Sequence, residues 1–166
     1  MRALIAVASR HGSTWEIGSA LASEFQGTGV SSDLLEAKDV QSLEEYDLVV
    51  IGSAVYMGHW MVDALDLVDR FHDDLVMMPV WLFSSGPIGA DDPKPHGDPH
   101  DIPGLVAQLN AEGHRVFAGK LDKKVLGVGE RLATGIVRAP EGDFRDWDAI
   151  RVWADEIAAA MTVAVR

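Results

Sequence analysis

Cysteine is absent from this 166-residue chain, and that single absence removes disulfides, thiolate metal sites, dithiol redox chemistry and cysteine nucleophiles together. Basic residues are scarce: 14 Lys and Arg stand against 26 Asp and Glu, a formal net charge of −12. Such a surface repels phosphodiesters, which excludes unspecific nucleic-acid binding and leaves any anionic ligand to be captured by local geometry. No apolar run is long enough to cross a bilayer. Met1-Arg2-Ala3-Leu4 enters an apolar run without a signal-peptide layout, so a cytoplasmic location is expected. Internal repeats and low-complexity tracts are also lacking. The length suits one domain, residues 1–166, around a single core.

What is present is a regular alternation of apolar runs and helical patterns. Residues 3–8, 47–52, 80–84 and 115–119 read as strands buried on both faces, because buried parallel strands carry near-continuous hydrophobic runs. Residues 32–36 are more weakly patterned and are expected near an edge. Ile17, Leu21 and Phe25 share a helical face that ends at Gly27-Thr28-Gly29. Met61, Leu65, Val68 and Leu75 also fall at helical spacing. Ile102, Leu105, Val106 and Leu109 follow a cap expected at Asp101, with Pro103 in the first turn. Trp147, Ile150, Ala154, Ile157 and Met161 line a last helix. Strands alternating with helices in this way predict a parallel sheet covered on both faces.

The first apolar run stops at Ser9-Arg10-His11-Gly12-Ser13-Thr14, just before the first helical pattern. A hydroxyl-rich turn at a helix N-terminus is a phosphate cradle, since backbone N–H groups and the helix dipole both favour an anion there. A Walker A loop is excluded by the single glycine and the missing lysine, and the G-x-G-x-x-G dinucleotide fingerprint is absent. A monophosphate held by Ser9, Ser13, Thr14 and the amides around His11 and Gly12 is one reading. A plain helix start capped by Ser13 or Thr14 is the other.

Two further segments follow strand ends, where ligands of open α/β sheets bind. Ser53-Ala54-Val55-Tyr56-Met57-Gly58-His59-Trp60 offers small residues, a flexible glycine and large flat side chains; Ser84-Ser85-Gly86-Pro87-Ile88-Gly89 offers turn amides. Together they fit a planar heteroaromatic ring, with Tyr56 read toward the ligand and Trp60 toward packing. The loop at 91–101, with its three prolines, His96 and His100, matches no standard metal-ligand spacing and is read as bordering that cleft rather than as a metal site. Other chemistries lack their residues: no phosphoacceptor aspartate follows residues 47–51, no G-x-S-x-G elbow is present, and Ser, His and Asp are too scattered in sequence to propose a triad.

The segments SRHGST, VVIGSAVYMGHW, LFSSGPIG and the late GDFRDW resemble the flavodoxin-like superfamily, most closely the flavodoxin-type, menaquinone-dependent protoporphyrinogen dehydrogenases of bacteria and their unassigned relatives. The resemblance spans nearly the whole chain. It implies an α/β three-layer sandwich, with a five-stranded parallel sheet of order 2-1-3-4-5 and helices on both faces. It also implies FMN as cofactor: Ser9, Arg10, His11, Gly12, Ser13 and Thr14 on the phosphate, with Ala54, Val55, Tyr56, Met57 and Gly58 on one side of the isoalloxazine ring and Ser84, Ser85, Gly86, Pro87, Ile88 and Gly89 on the other.

His59 is the histidine that sequence order places beside that ring, as a proton or hydrogen-bond donor or as a helix cap. The chain departs from the protoporphyrinogen enzymes after residue 119. Their strongly basic, aromatic segment is replaced by Lys120, Lys123, Lys124, Arg131 and Arg138 with no aromatic residue between them. The implied function is an FMN oxidoreductase working with a small-molecule partner such as a quinone. The alternatives are an electron-transfer flavodoxin that docks protein partners, or a relative using another flavin-like cofactor.

Overall fold

The computed structural model describes residues 1–86, 98–121 and 142–164. Pro87, Ile88 and Gly89, the loop residues up to 97 and residues 122–141 of the basic stretch lie outside the described residues.

The elements run β1 (Arg2–Ala8), α1 (Ser13–Thr28), β2 (Ser31–Glu36), a 3-10 turn (Ala37–Asp39), β3 (Leu48–Tyr56), β4 (His59–Trp60), α2 (Val62–Arg70), α3 (His72–Leu75), β5 (Val80–Ser85), α4 (Ile102–Leu109), β6 (Gly113–Phe117), β7 (Lys120–Leu121), β8 (Gly142–Asp143) and α5 (Trp147–Ala164). Five strands pair in parallel in the order β2-β1-β3-β5-β6, which is 2-1-3-4-5 when the parallel strands alone are counted. The weakly apolar β2 is at one edge, as its sequence predicts.

Period-2 alternation sends the two sides of each strand into separate cores. Leu4, Ala6 and Ala8 of β1 pack with Ala64, Leu67 and Val68 of α2 and with Leu105 and Leu109 of α4. Ala3, Ile5 and Val7 pack with Ile17, Leu21 and Phe25 of α1 and with Ile150, Trp153 and Ile157 of α5. Helices therefore cover both faces, and each helix presents the apolar stripe seen in its sequence.

Three differences from the sequence reading matter. The second buried strand continues to Tyr56 instead of stopping at Gly52, and residues 53–60 form a hairpin rather than an open loop. Its alternation is the cause: Val55 and Trp60 are buried, while Tyr56 and His59 are exposed. The helical pattern from Met61 to Leu75 is split at Phe71, whose φ of −117° leaves the helical region. Asp101 occupies the N-cap position of α4 but makes no side-chain capping bond; its carboxylate is used elsewhere.

The sheet positions the site. The register aligns Ala8, Ser53 and Ser84 across β1, β3 and β5, so the segments that follow these strands emerge side by side at the carboxyl edge. The winding also reverses there, because β2 and β3 flank β1 on opposite sides.

Candidate functional site

The turn after β1 is built to leave donors pointing outward. Gly12 is the N-cap of α1 in the left-handed region, at φ 81°, and provides no side-chain cap. The first-turn amides of a helix have no intrahelical acceptor, and here the cap residue does not supply one. Neither Ser13 nor Thr14 caps the helix, since both lie inside it. Ser9 Oγ accepts the Gly12 N–H at 3.1 Å and closes the turn. Ser13 Oγ accepts the Lys120 N–H at 3.2 Å. Both hydroxyls are thus fixed through their oxygens, which leaves each O–H as a donor for an anion. Thr14 is buried on the face of α1 that carries Ile17 and Leu21.

The hairpin faces this turn. Met57 and Gly58 form its two-residue tip, with φ of 52° and 82°, the pair of left-handed conformations that matches strand twist. Met57 is 96% exposed despite being apolar and not glycine. The Arg10 guanidinium carbon lies 5.9 Å from the centroid of the half-exposed Tyr56 ring, which joins turn and hairpin. Behind them, Ser53 Oγ donates to the Ala54 carbonyl and accepts the Met61 N–H, both at 2.9 Å, holding the hairpin root against the start of α2.

On the other side, Gly86 N–H donates to the Phe117 carbonyl at 3.1 Å. A Cβ on Gly119 would come within 3.2 Å of the Gly86 Cα, so the segments after β5 and β6 touch backbone to backbone. Of the residues expected on that side, Ser84 and Ser85 are buried in β5 and Gly86 is at the rim. Pro87, Ile88 and Gly89 lie outside the described residues.

Two imidazole–carboxylate chains support the hairpin. Asp101 accepts the Trp60 N–H through Oδ2 at 2.8 Å, and its Oδ1 is 3.3 Å from His59 Nδ1. His59 Nε2 is in turn 3.4 Å from His100 Nδ1, with the two rings edge to face at 4.9 Å. A carboxylate only accepts, so the neutral chain runs His100 Nδ1–H to His59 Nε2 and His59 Nδ1–H to Asp101. Both nitrogens of His59 are thereby engaged, and the nitrogen left at the end of the chain is His100 Nε2. His59 lies in a strand, so it does not cap a helix.

The second chain is buried except at its Asp98 end. The Trp60 indole N–H donates to Ser84 Oγ at 2.7 Å, Ser84 Oγ is 2.8 Å from His114 Nε2, and His114 Nδ1 is 3.0 Å from Asp98. The connectivity is that of a hydrolytic triad, assembled from residues that are scattered in sequence. Ser84 is completely buried and its oxygen already accepts the indole N–H, so it presents no nucleophile to a substrate. Burial pushes the His114 imidazole below its ordinary value, against the opposing pull of Asp98. Trp60 is a packing residue, as its sequence context predicts.

Sequence reasoning missed Arg145, the centre of the late GDFRDW segment. Its side chain is 2% exposed and reaches from the end of β8 to the start of α1. The guanidinium holds the Asp143 carboxyl below the usual carboxylate range, chiefly through their side-chain hydrogen bonds. Lys120 and Gly119 were also missed as parts of the rim. The available signal was an arginine between aspartates and aromatics, which names no partner without the fold.

A family model for the flavodoxin domain matches residues 4–148. The chain belongs to the flavodoxin domain family. Among curated relatives of this flavodoxin-domain chain is the protoporphyrinogen IX dehydrogenase [quinone] of Escherichia coli K12, 34% identical over 86 residues. That match covers 51% of this chain and 48% of the relative, so it spans about half the length of each protein. Among solved structures, a Streptococcus pneumoniae TIGR4 flavodoxin superposes with a TM-score of 0.61 at 18% identity, covering 96% of this chain and 99% of the other. The rubredoxin oxygen:oxidoreductase of Desulfovibrio gigas superposes with a TM-score of 0.67 at 12% identity, covering 99% of this chain and 37% of that one. Identities this low establish a shared flavodoxin-like fold. Among the described residues no helix is long and apolar enough to cross a membrane.

Proposed function

We propose that this flavodoxin-domain chain binds FMN at the carboxyl edge of the sheet and works in the cytoplasm as an oxidoreductase, with a quinone or a related small molecule as redox partner. The observation that carries the reading is the start of α1: a left-handed glycine cap without a side-chain acceptor, flanked by two hydroxyls whose oxygens are already occupied by backbone N–H groups. That donor set fits a phosphate monoester, which accepts several short, charge-assisted hydrogen bonds.

The residues divide the work. Ser9, Ser13 and the first-turn amides hold the phosphate, with Thr14 adding its backbone N–H. Arg10 and His11 flank it. Tyr56, Met57 and Gly58 border one side of the ring, and Ser85 and Gly86 border the other. When bound, the flavin supplies one- and two-electron chemistry. The chain Asp101–His59–His100 leaves the unprotonated His100 Nε2 at the hairpin, where it takes up a proton from the partner.

A second reading is favoured by the surface. The net charge of −12 and the row Asp63, Asp66 and Asp69 on α2 suit an electron carrier that docks basic protein partners. Anaerobic reoxidation of the photoreduced holoprotein separates the two. Direct reoxidation by a soluble menaquinone analogue at turnover rates supports the enzyme. No reaction with quinone, combined with salt-sensitive reoxidation by a basic cytochrome, supports the carrier. If the protein retains a deazaflavin but no FMN, the cofactor assignment is wrong.

A further inference from the structure

Arg145 is nearly sealed from solvent and surrounded by carboxylates, yet it lies against the turn read here as a phosphate site. Its Nε and Nη2 donate to the two carboxylate oxygens of Asp143, at 2.8 and 2.5 Å. Nη1 donates to Glu16 at 2.7 Å and to the Ser13 carbonyl at 3.2 Å. The guanidinium carbon stacks 4.4 Å from the centroid of the Trp147 ring. With its donors directed at these partners and its side chain 2% exposed, Arg145 has no route to a ligand.

We propose that Arg145 is a positioning residue for the ligand phosphate, acting through the first turn of α1 and never touching the ligand. The inference rests on the phosphate reading of residues 9–14. Two effects converge. Geometrically, the planar fork ties β8 and the start of α5 to Ser13 and Glu16, and the adjoining β7 delivers the Lys120 N–H that orients the Ser13 hydroxyl. Electrostatically, Glu16 and Asp143 place two negative charges beside a turn that must accept a third anion. Arg145 lies between them and offsets that field where the helix dipole alone is weak. A chain this acidic has no surplus positive field to attract a dianion, so local cancellation decides whether the phosphate is accepted.

The test compares FMN with riboflavin, which shares the ring and lacks the phosphate, on the purified 166-residue chain. In Arg145→Met, FMN affinity is expected to fall at least about tenfold while riboflavin affinity stays within about twofold, because only the phosphate feels the uncovered carboxylates. Arg145→Lys, which keeps the charge but loses the fork, is expected to fall between wild type and Arg145→Met. Adding Glu16→Gln and Asp143→Asn to Arg145→Met is expected to recover much of the FMN affinity, which a purely structural defect would not allow. Should Arg145→Met fail to fold, Glu16→Gln alone carries the test: FMN binds more tightly and riboflavin is unchanged. Equal changes for the two flavins, or none in any variant, overturn the inference. A wild-type chain that binds neither flavin overturns the cofactor assignment instead, and that outcome is read before any variant is made.

Discussion

The imidazole of His114 lies 2.8 Å from the buried Ser84 hydroxyl, with Asp98 fixing its other nitrogen at 3.0 Å. Asp98 accepts the Nδ1 proton, so Nε2 must accept from Ser84, and the buried chain is satisfied only with a neutral ring. Burial depresses the His114 pKa below its ordinary value of 6.5. In the window between the depressed value and 6.5, the unfolded chain binds a proton that the folded chain does not. The stability from this group is therefore present above about pH 6.5 and is lost as pH falls through the folded value. Urea midpoints measured from pH 7.5 down to 5.0 are expected to decline, and to decline less steeply in His114→Gln. Equal slopes for both proteins would assign the pH dependence elsewhere.

Gly52 owes its place in a buried strand to Phe83. A Cβ there would come within 2.0 Å of the Phe83 ring, which is itself enclosed by Phe117 and Trp153. The ring has no direction in which to yield, so Gly52→Ala is expected to cost about 1–3 kcal/mol, or more if the strand must shift. Thermal unfolding of the apo chain measures this. A loss under about 0.5 kcal/mol, the level of an ordinary surface change, would contradict the packing described.

Met57 holds a left-handed conformation that side chains avoid, at a tip where Asn is usual. Met57→Asn should stabilise the apo protein by about 0.5–1 kcal/mol, since Asn tolerates that φ at lower cost. If the exposed thioether borders the flavin ring, the same variant weakens riboflavin and FMN alike. An effect on FMN alone would move Met57 away from the ring and toward the phosphate.

Thr14 tests the turn directly. Thr14→Val keeps shape but loses the hydroxyl, and FMN affinity is expected to fall roughly tenfold if that hydroxyl donates to phosphate. Unchanged affinity would leave only its backbone N–H in the site. Because Thr14 is buried on the core face of α1, the result decides between its two roles.

The sheet was legible because its strands are apolar on both faces: Leu4 and Ile5 enter opposite cores, yet both belong to one unbroken run. The turn at Ser9–Thr14 was legible because hydroxyls, one glycine and a following helical stripe are all local signals. The hairpin was not, since Met57-Gly58 lacks the Asn-Gly or Asp-Gly signature of its turn and small residues such as Ser53 and Ala54 read as loop. Arg145 and its partner Ser13 are 132 residues apart, and the Trp60–Ser84–His114–Asp98 chain draws on four separate segments. Contacts of that kind have no spacing rule, and only the sheet order brings them together. The Asp101 carboxylate was misread as a cap for the same reason: a nearer acceptor role, toward Trp60 and His59, comes from a different element.

A fluorescence titration of FMN into the purified protein, with riboflavin run in parallel, addresses the central assignment most directly. Saturable FMN binding at one site per chain is expected, weakened at least about a hundredfold when the phosphate is removed, because the turn at 9–14 contributes several charge-assisted hydrogen bonds. Equal affinity for the two flavins, or no binding of either, would contradict it.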